Sequence, residues 1–147
     1  MDDILLDYKF SLFKNDTNIL CYTSLLFLAP CIYALENNLY IYSLFVLLIG
    51  LFSINFWRKP KYGLRRDCDI IYANFAFYTS VIIFIIYVTN IYYIILSLFF
   101  ASSIIYNFIK SGYYFRLNNY NWLLHHTIFH FCLVAQQIIL VYHIINT

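Results

Sequence analysis

The sequence predicts an all-α protein, a membrane bundle of five transmembrane helices. Of its 147 residues, 63% are hydrophobic and only 11% are charged, whereas soluble domains carry about 25% charged residues. The mean hydropathy of +0.73 also places the chain in lipid. Its apolar runs are of spanning length and lack the alternation of polar and apolar residues found in membrane barrels. We therefore expect one transmembrane domain over residues 1–147. The predicted spans are residues 19–35, 39–57, 69–88, 91–109 and 122–145.

The first predicted span follows a charged segment, residues 1–17. We expect this segment to be a short cytoplasmic lead-in. The first span is apolar apart from small hydroxyls. Pro30 lies within it and should bend the helix, because proline removes a backbone hydrogen bond. A polar turn at residues 36–38 leads to the second span, which is uncharged and ends at Trp57. Tryptophan is favoured at the boundary between membrane and water.

The third and fourth spans come from one long apolar run, residues 70–109. As a helix this run would be about 60 Å long, which is two membrane thicknesses. It must therefore fold back on itself, and Thr89 and Asn90 are the polar pair near its midpoint. We place a hairpin there. Residues 110–121 are the next predicted loop, and Trp122 opens the fifth span.

The nine basic residues predict the orientation of the bundle. With five spans, all of them lie in the lead-in, the second loop or the fourth loop, which share one side of the membrane. Because loops rich in lysine and arginine stay in the cytoplasm, we expect a cytoplasmic N-terminus and an extracytoplasmic or lumenal C-terminus.

The second loop also predicts the partners of the protein. It carries five of the basic residues, each of which would contribute about 1 kcal/mol near an anionic membrane surface. The expected partners are therefore the lipid bilayer and anionic lipids. A net charge of +2 is too small to indicate a nucleic-acid partner. The basic residues of this loop are Arg58, Lys59, Lys61, Arg65 and Arg66.

Polar residues from three separate spans should meet on the same side of the membrane. Ser53 ends the second span, Asp67 and Asp69 begin the third, and His126 and His130 lie near the start of the fifth. Ionisable groups are costly in lipid, so a functional role is the first hypothesis for them.

Within the fifth span, the periodicity of a helix sorts the histidines. His126 and His130 are four residues apart and share a face, which Gln137 joins seven residues further on. His125 points about 100° away from that face. We expect His125, and His143 at the far end, to face lipid head groups.

Structural roles are an open alternative for each of these residues. Asp67 and Asp69 could cap the third span at its N-terminus, or they could pair with Arg65 and Arg66. Ser53 could be a packing residue, or its hydroxyl could bond to the backbone. His126 and His130 could form hydrogen bonds to neighbouring helices without any metal.

The order of Ser53, Asp69 and the segment His126-Thr-Ile-Phe-His130 resembles the CREST superfamily of membrane hydrolases, which includes alkaline ceramidases, adiponectin receptors and Per1-like proteins. In that superfamily three histidines hold zinc, and the first follows the serine by four residues. That position is Trp57 here. The resemblance covers the second, third and fifth spans, and the superfamily usually has seven.

The resemblance implies a metal-dependent hydrolase of lipid amides or esters. His126, His130 and Asp69 would then hold zinc, and the metal would lower the pKa of a bound water to about 7. Ser53 would stabilise the oxyanion, with Asp69 also contributing to catalysis.

Two other classes of function compete with the hydrolase. One is a non-enzymatic membrane scaffold or small assembly subunit, in which the same polar groups hold the helices together. The other is a transporter or proton path, which ranks last because the middle of the membrane carries no charge and the chain shows no internal repeat.

Overall fold

The computed structural model describes residues 17–61 and 63–146, and no strand occurs among them. Two short helices, α1 and α2, together form one membrane-length segment, so this part of the chain has five helical segments long and apolar enough to cross a bilayer. The predicted all-α, multi-pass fold is confirmed. The predicted lead-in lies almost wholly outside the described residues. The helices are α1 Thr17–Leu25, α2 Leu28–Glu36, α3 Tyr40–Trp57, α4 Leu64–Tyr87, α5 Ile91–Arg116 and α6 Asn121–Asn146.

The first span is interrupted between α1 and α2, at Leu26 and Phe27. Pro30 is the third residue of α2, and a proline has no N–H to donate to the carbonyl four residues earlier. That carbonyl belongs to Leu26, and it accepts a hydrogen bond from the Ala29 N–H at 3.0 Å instead. The predicted bend therefore occurs, about one turn before the proline itself.

Two predicted helix boundaries are wrong, both at the charged ends of spans. The third span begins at Leu64 and not at residue 69, and the fourth continues to Arg116 and not to residue 109. Most of the predicted loop at residues 110–121 is therefore helical. The length of an apolar run indicates only how much of a helix lies inside the lipid. Polar residues can continue the same helix outside the lipid. Lys110 is one such residue, with its Nζ 5.7 Å from the centroid of the Tyr113 ring.

The hairpin predicted at Thr89 and Asn90 is confirmed. Residues 88–90 are non-helical and connect α4 to α5. The Asn90 side chain accepts a hydrogen bond from the Tyr92 N–H at 3.0 Å, which satisfies one of the free donors at the start of α5.

The last span, α6, is the centre of the bundle. It contacts α1, α2, α4 and α5, and its antiparallel pairing with α5 is the most extensive contact in the molecule. Helix α3 packs against α1, α2 and α4. Helices α4 and α5 barely touch each other, although only three residues join them. The first and last spans are therefore in contact, while two consecutive spans diverge.

One glycine permits a close approach within this arrangement. A Cβ atom built on Gly50 of α3 would lie 3.2 Å from the Phe27 Cβ and 3.2 Å from the Ser24 carbonyl oxygen. The backbone of α3 thus lies against the break between α1 and α2, as small residues allow in membrane helices.

The ends of α3 and α5 and the starts of α4 and α6 lie together at what we call the basic end. This end includes the second loop as predicted from the sequence, whose last residues, 64–66, form the first turn of α4, and the last turn of α5. The stacked indoles of Trp57 and Trp122 mark it, with ring centroids 5.9 Å apart. The predicted site residues lie near this end.

Candidate functional site

His130 faces the interior of the bundle. Only 3% of the residue is exposed, and its Nδ1 lies 2.8 Å from the Thr23 hydroxyl oxygen of α1. The ring also makes an edge contact with Phe27, at 6.3 Å between centroids. His130 therefore joins the last span to the first and does not face acyl chains.

His126 lies one turn earlier on the same face of α6, as the spacing predicted. Its Nδ1 is 3.1 Å from the Ser111 hydroxyl oxygen of α5. Its ring centroid lies 5.0 Å from that of His130 and 4.8 Å from that of Trp57, which meets it edge-on. The structure thus brings the predicted histidine pair together, beside the position where the resemblance implies a third histidine.

Ser53 is buried in the packing between α1 and α3. It is 5% exposed, and its hydroxyl oxygen lies 2.9 Å from that of Ser24. Ser24 also donates to the Leu20 carbonyl within α1 at 2.6 Å. This environment matches the packing role that the sequence left open for Ser53.

The two aspartates lie at the start of α4, and neither caps that helix. The N-cap position is Gly63, whose φ of 117° suits glycine, and no side chain completes the cap. Asp67 is exposed in the first turn of α4. Its negative charge there interacts favourably with the positive end of the helix dipole. Asp69, two residues later, is half-buried, and no described residue forms a hydrogen bond with it.

The described residues do not fit the predicted zinc site. Catalytic zinc usually takes three protein ligands, and residues 17–61 and 63–146 contain no group of three or more His, Cys, Asp or Glu side chains that could hold a metal ion. Asp69 forms no hydrogen bond with His126 or His130, and position 57 presents an indole.

Gln137 has a separate role, two turns from His130. Its Oε1 accepts a hydrogen bond from the Tyr42 hydroxyl of α3 at 2.7 Å, and its Nε2 donates to the Ser80 hydroxyl of α4 at 2.9 Å. The residue is 2% exposed. One amide thus links three spans in the interior, where an unpaired polar group would be costly.

The two remaining histidines, which the sequence predicted to face head groups, both contact side chains of α5. His125 is half-buried, with its Nδ1 2.8 Å from the Asn107 Oδ1 and its ring stacked on Tyr114. His143 is 8% exposed and meets the Tyr93 ring edge-on, with centroids 4.4 Å apart. Both rings take part in the α5–α6 contact.

Sequence reasoning missed the partners of the predicted site residues. They are small hydroxyl, phenol and amide side chains inside apolar runs, and such residues carry little signal one at a time. One feature of the sequence could have indicated them: the two hydroxyl residues Thr23 and Ser24 are adjacent in a largely apolar stretch of α1. The missed partners are Thr23, Ser24, Tyr42, Ser80, Asn107 and Ser111.

The second loop provides a different kind of site. Lys59, Lys61 and Arg65 are exposed and line one open recess with Leu64. None of the three cations forms an ion pair within the described part of the chain. Arg58 differs, because its guanidinium donates to the Asn55 Oδ1 at 3.3 Å.

Comparison with known proteins finds no match: no family model fits the chain, and no curated protein or solved structure is similar to it.

Proposed function

We propose that this protein is a non-enzymatic membrane scaffold that binds anionic lipid through its second loop. The observation that carries the proposal is the recess of Lys59, Lys61 and Arg65, three exposed cations without an ion pair among the described residues. The interior polar groups then serve to hold the helices together.

The contacts of the interior support the scaffold role. Ser53, His126 and His130 each contact a side chain on another helix. Membrane helices gain little from the hydrophobic effect when they associate, so hydrogen bonds and close packing supply the specificity. The same residues would be expected in a bundle that performs no chemistry.

The chemistry of the loop supports the choice of lipid. A lysine or arginine near an anionic surface contributes about 1 kcal/mol, and the attraction weakens with salt. Three cations that line one recess can approach the phosphates of neighbouring lipids together. A carboxylate or phosphate head group would supply the counter-charge that no described residue supplies.

The experiment compares lipids around the protein in nanodiscs. We expect spin-labelled phosphatidylserine to be motionally restricted more than spin-labelled phosphatidylcholine, and added salt should reduce this preference. Combined Lys59→Ala, Lys61→Ala and Arg65→Ala substitutions should abolish it. Lys59→Arg, Lys61→Arg and Arg65→Lys form the matched control, which keeps the charge and should keep the preference. Equal restriction of both lipids by the native protein would refute the proposal.

The proposal includes the orientation predicted from the basic residues, with the basic end in the cytoplasm. A reporter that is active only in the cytoplasm should be silent when fused after Thr147 and active when inserted into the second loop. The opposite pattern would place the loop away from the anionic leaflet and contradict the proposal.

A metal-dependent lipid hydrolase is the second candidate. The observation that favours it is the proximity of Trp57, His126 and His130, which occupy the positions that the resemblance assigns to the three histidines. Purified native protein that contains one zinc per chain and cleaves an N-acyl lipid would support this candidate over the scaffold. Protein without stoichiometric zinc would exclude it.

A further inference from the structure

Helix α4 turns one face away from the rest of the bundle. Only two of its 24 residues are buried. On the outer face Ile71, Tyr78 and Ile85 are each at least 65% exposed, and Asn74 is exposed among them. The fold therefore leaves this face of α4 open to the lipid.

Asn74 brings an incompletely bonded amide to this face. Its Nδ2 donates one hydrogen bond, at 2.8 Å, to the Ile70 carbonyl of its own helix. The second N–H and the Oδ1 have no partner within residues 17–61 and 63–146. An asparagine side chain offers two donors and a carbonyl acceptor, so most of its hydrogen-bonding capacity is unused.

The position of Asn74 along α4 places this amide below the head groups. Residues 70–87 are uncharged and helical. They extend about 27 Å, close to the hydrocarbon thickness of about 30 Å. Asn74 lies one turn inside that stretch. Acyl chains offer neither donors nor acceptors, so the favourable partners for the amide at this depth are groups of another protein chain.

The residues around Asn74 follow the spacing of a helix-pairing seam. Ile71, Asn74, Tyr78, Val81 and Ile85 are separated by alternating intervals of three and four residues, and all five are exposed. This seven-residue repeat is the one with which two helices pack side by side, and a single asparagine in such a seam fixes its register. The Tyr78 hydroxyl adds a second polar group that has no hydrogen-bond partner in the described part of the chain.

A second copy of this chain fits the seam without any further requirement. Copies in one membrane share one orientation, so a two-fold axis along the membrane normal brings their α4 helices together in parallel. Equivalent residues then lie at equal depth, and an amide is its own complement. We propose that the protein forms a homodimer through α4, in which the Oδ1 of each Asn74 accepts a hydrogen bond from the free Nδ2 N–H of the other. This dimer goes beyond the scaffold proposal and does not use the loop cations.

The experiment measures energy transfer between full chains in phosphatidylcholine vesicles, with a donor or an acceptor fluorophore on a tag after Thr147. We expect the transfer to correspond to two chains per complex and to fall as added lipid dilutes the protein. Asn74→Leu should raise the dissociation constant about tenfold, because polar contacts supply much of the specificity between helices in lipid. Asn74→Gln keeps an amide and should associate more tightly than Asn74→Leu. Both substitutions are at a lipid-facing position and should leave the circular dichroism spectrum unchanged.

Ser102→Leu is the matched control. Ser102 is also exposed, but it lies on α5 and its hydroxyl donates to the Leu98 carbonyl of that helix. Its loss should leave the dissociation constant unchanged. Transfer no greater than that of randomly distributed chains, native association in Asn74→Leu, equal weakening by Ser102→Leu, or complexes of more than two chains would each overturn the proposed dimer. The vesicles contain no anionic lipid, so none of these results bears on the salt-sensitive preference measured for the loop.

A crosslink tests the face of α4 independently. In a chain whose four cysteines are replaced by serine, Val81→Cys on the seam should give a disulfide-linked dimer when an oxidant is added. Leu98→Cys, at an exposed position of α5, should remain monomeric under the same conditions. Equal crosslinking at both positions would indicate random collisions and would overturn the assignment to α4.

Discussion

Adjacent glutamines in α6 show how one position can hold the bundle together while its neighbour does not. Gln137 bonds to Tyr42 and Ser80, whereas the buried Oε1 of Gln136 has no hydrogen-bond partner among the described residues. Both side chains are at least nine-tenths buried. Their chemistry and depth are the same, so they form a matched pair for mutation.

We expect Gln137→Leu to lower the free energy of unfolding by about 1–2 kcal/mol, because it leaves the Tyr42 and Ser80 hydroxyls unpaired. Gln136→Leu should leave stability unchanged or raise it, because it removes an unpaired acceptor. Titration with denaturing detergent, followed by circular dichroism, measures both. If Gln137→Leu and Gln136→Leu lowered the free energy of unfolding equally, the hydrogen bonds assigned to Gln137 would be contradicted.

Position 57 offers a direct test of the resemblance. Trp57→His should place a third imidazole beside His126 and His130, and zinc bound per chain should then rise towards one. Elemental analysis of the purified protein measures this. Trp57→Phe is the control and should gain no zinc, and adding His130→Ala to Trp57→His should reverse the gain. Unchanged zinc in Trp57→His would show that the shared residues do not reflect a shared metal geometry.

At the scale of single elements, the sequence predicted which segments are helical better than where they end. The spans and the hairpin at Thr89 and Asn90 followed from apolar length and one polar pair. The ends at Leu64 and Arg116 did not, because a helix outside lipid is stabilised by capping and local contacts. The bend in the first span was predictable from Pro30, since the loss of a hydrogen bond acts on a known carbonyl.

Gly50 and Gly112 lie in equally regular helices and differ in what surrounds them. Gly50→Leu should lower the free energy of unfolding by about 1–3 kcal/mol, because it forces α3 away from Phe27 and Ser24. Gly112→Leu should be as stable as the native protein, since its Cβ meets no neighbour. Thermal unfolding in detergent compares them. A stable Gly50→Leu variant would contradict the close approach of α3 to the helix break.

Only part of the candidate site was predictable from the sequence, because periodicity places residues on one helix but does not show which helices pack together. The spacing of His126 and His130 fixes their common face, which the structure shows directed inward. The partners Thr23 and Ser111 come from spans whose contact with α6 depends on the packing of the whole bundle. Periodicity within one helix carries no information on that packing.

At the scale of the whole molecule, the bundle is completed by its last span. Helix α6 contacts four other helices, including α1 at the opposite end of the chain. Helices in a membrane can insert separately and associate afterwards. The earlier spans should therefore insert without α6, but they should not form a defined bundle.

We expect a chain that ends at Arg116 to be aggregated in size-exclusion chromatography. Co-expression with a separate fragment of residues 117–147 should restore a single species, because the α5–α6 contact needs no covalent link. Thr23→Val in the first chain is a control that removes only the contacts of one hydroxyl, to His130 and to the Leu20 carbonyl, and the two fragments should still assemble. Assembly of the shortened chain alone would show that α6 is not the centre of the fold.

The chain contains two tryptophans, and both indoles are stacked together at the basic end. Excitation near 295 nm, where indole absorbs selectively, would consequently report on a single place in the molecule. That place lies beside the proposed lipid contact, since Trp57 directly precedes the basic loop. The native protein thus carries its own fluorescent label there, and a change in its emission would register events at the membrane surface without any added dye.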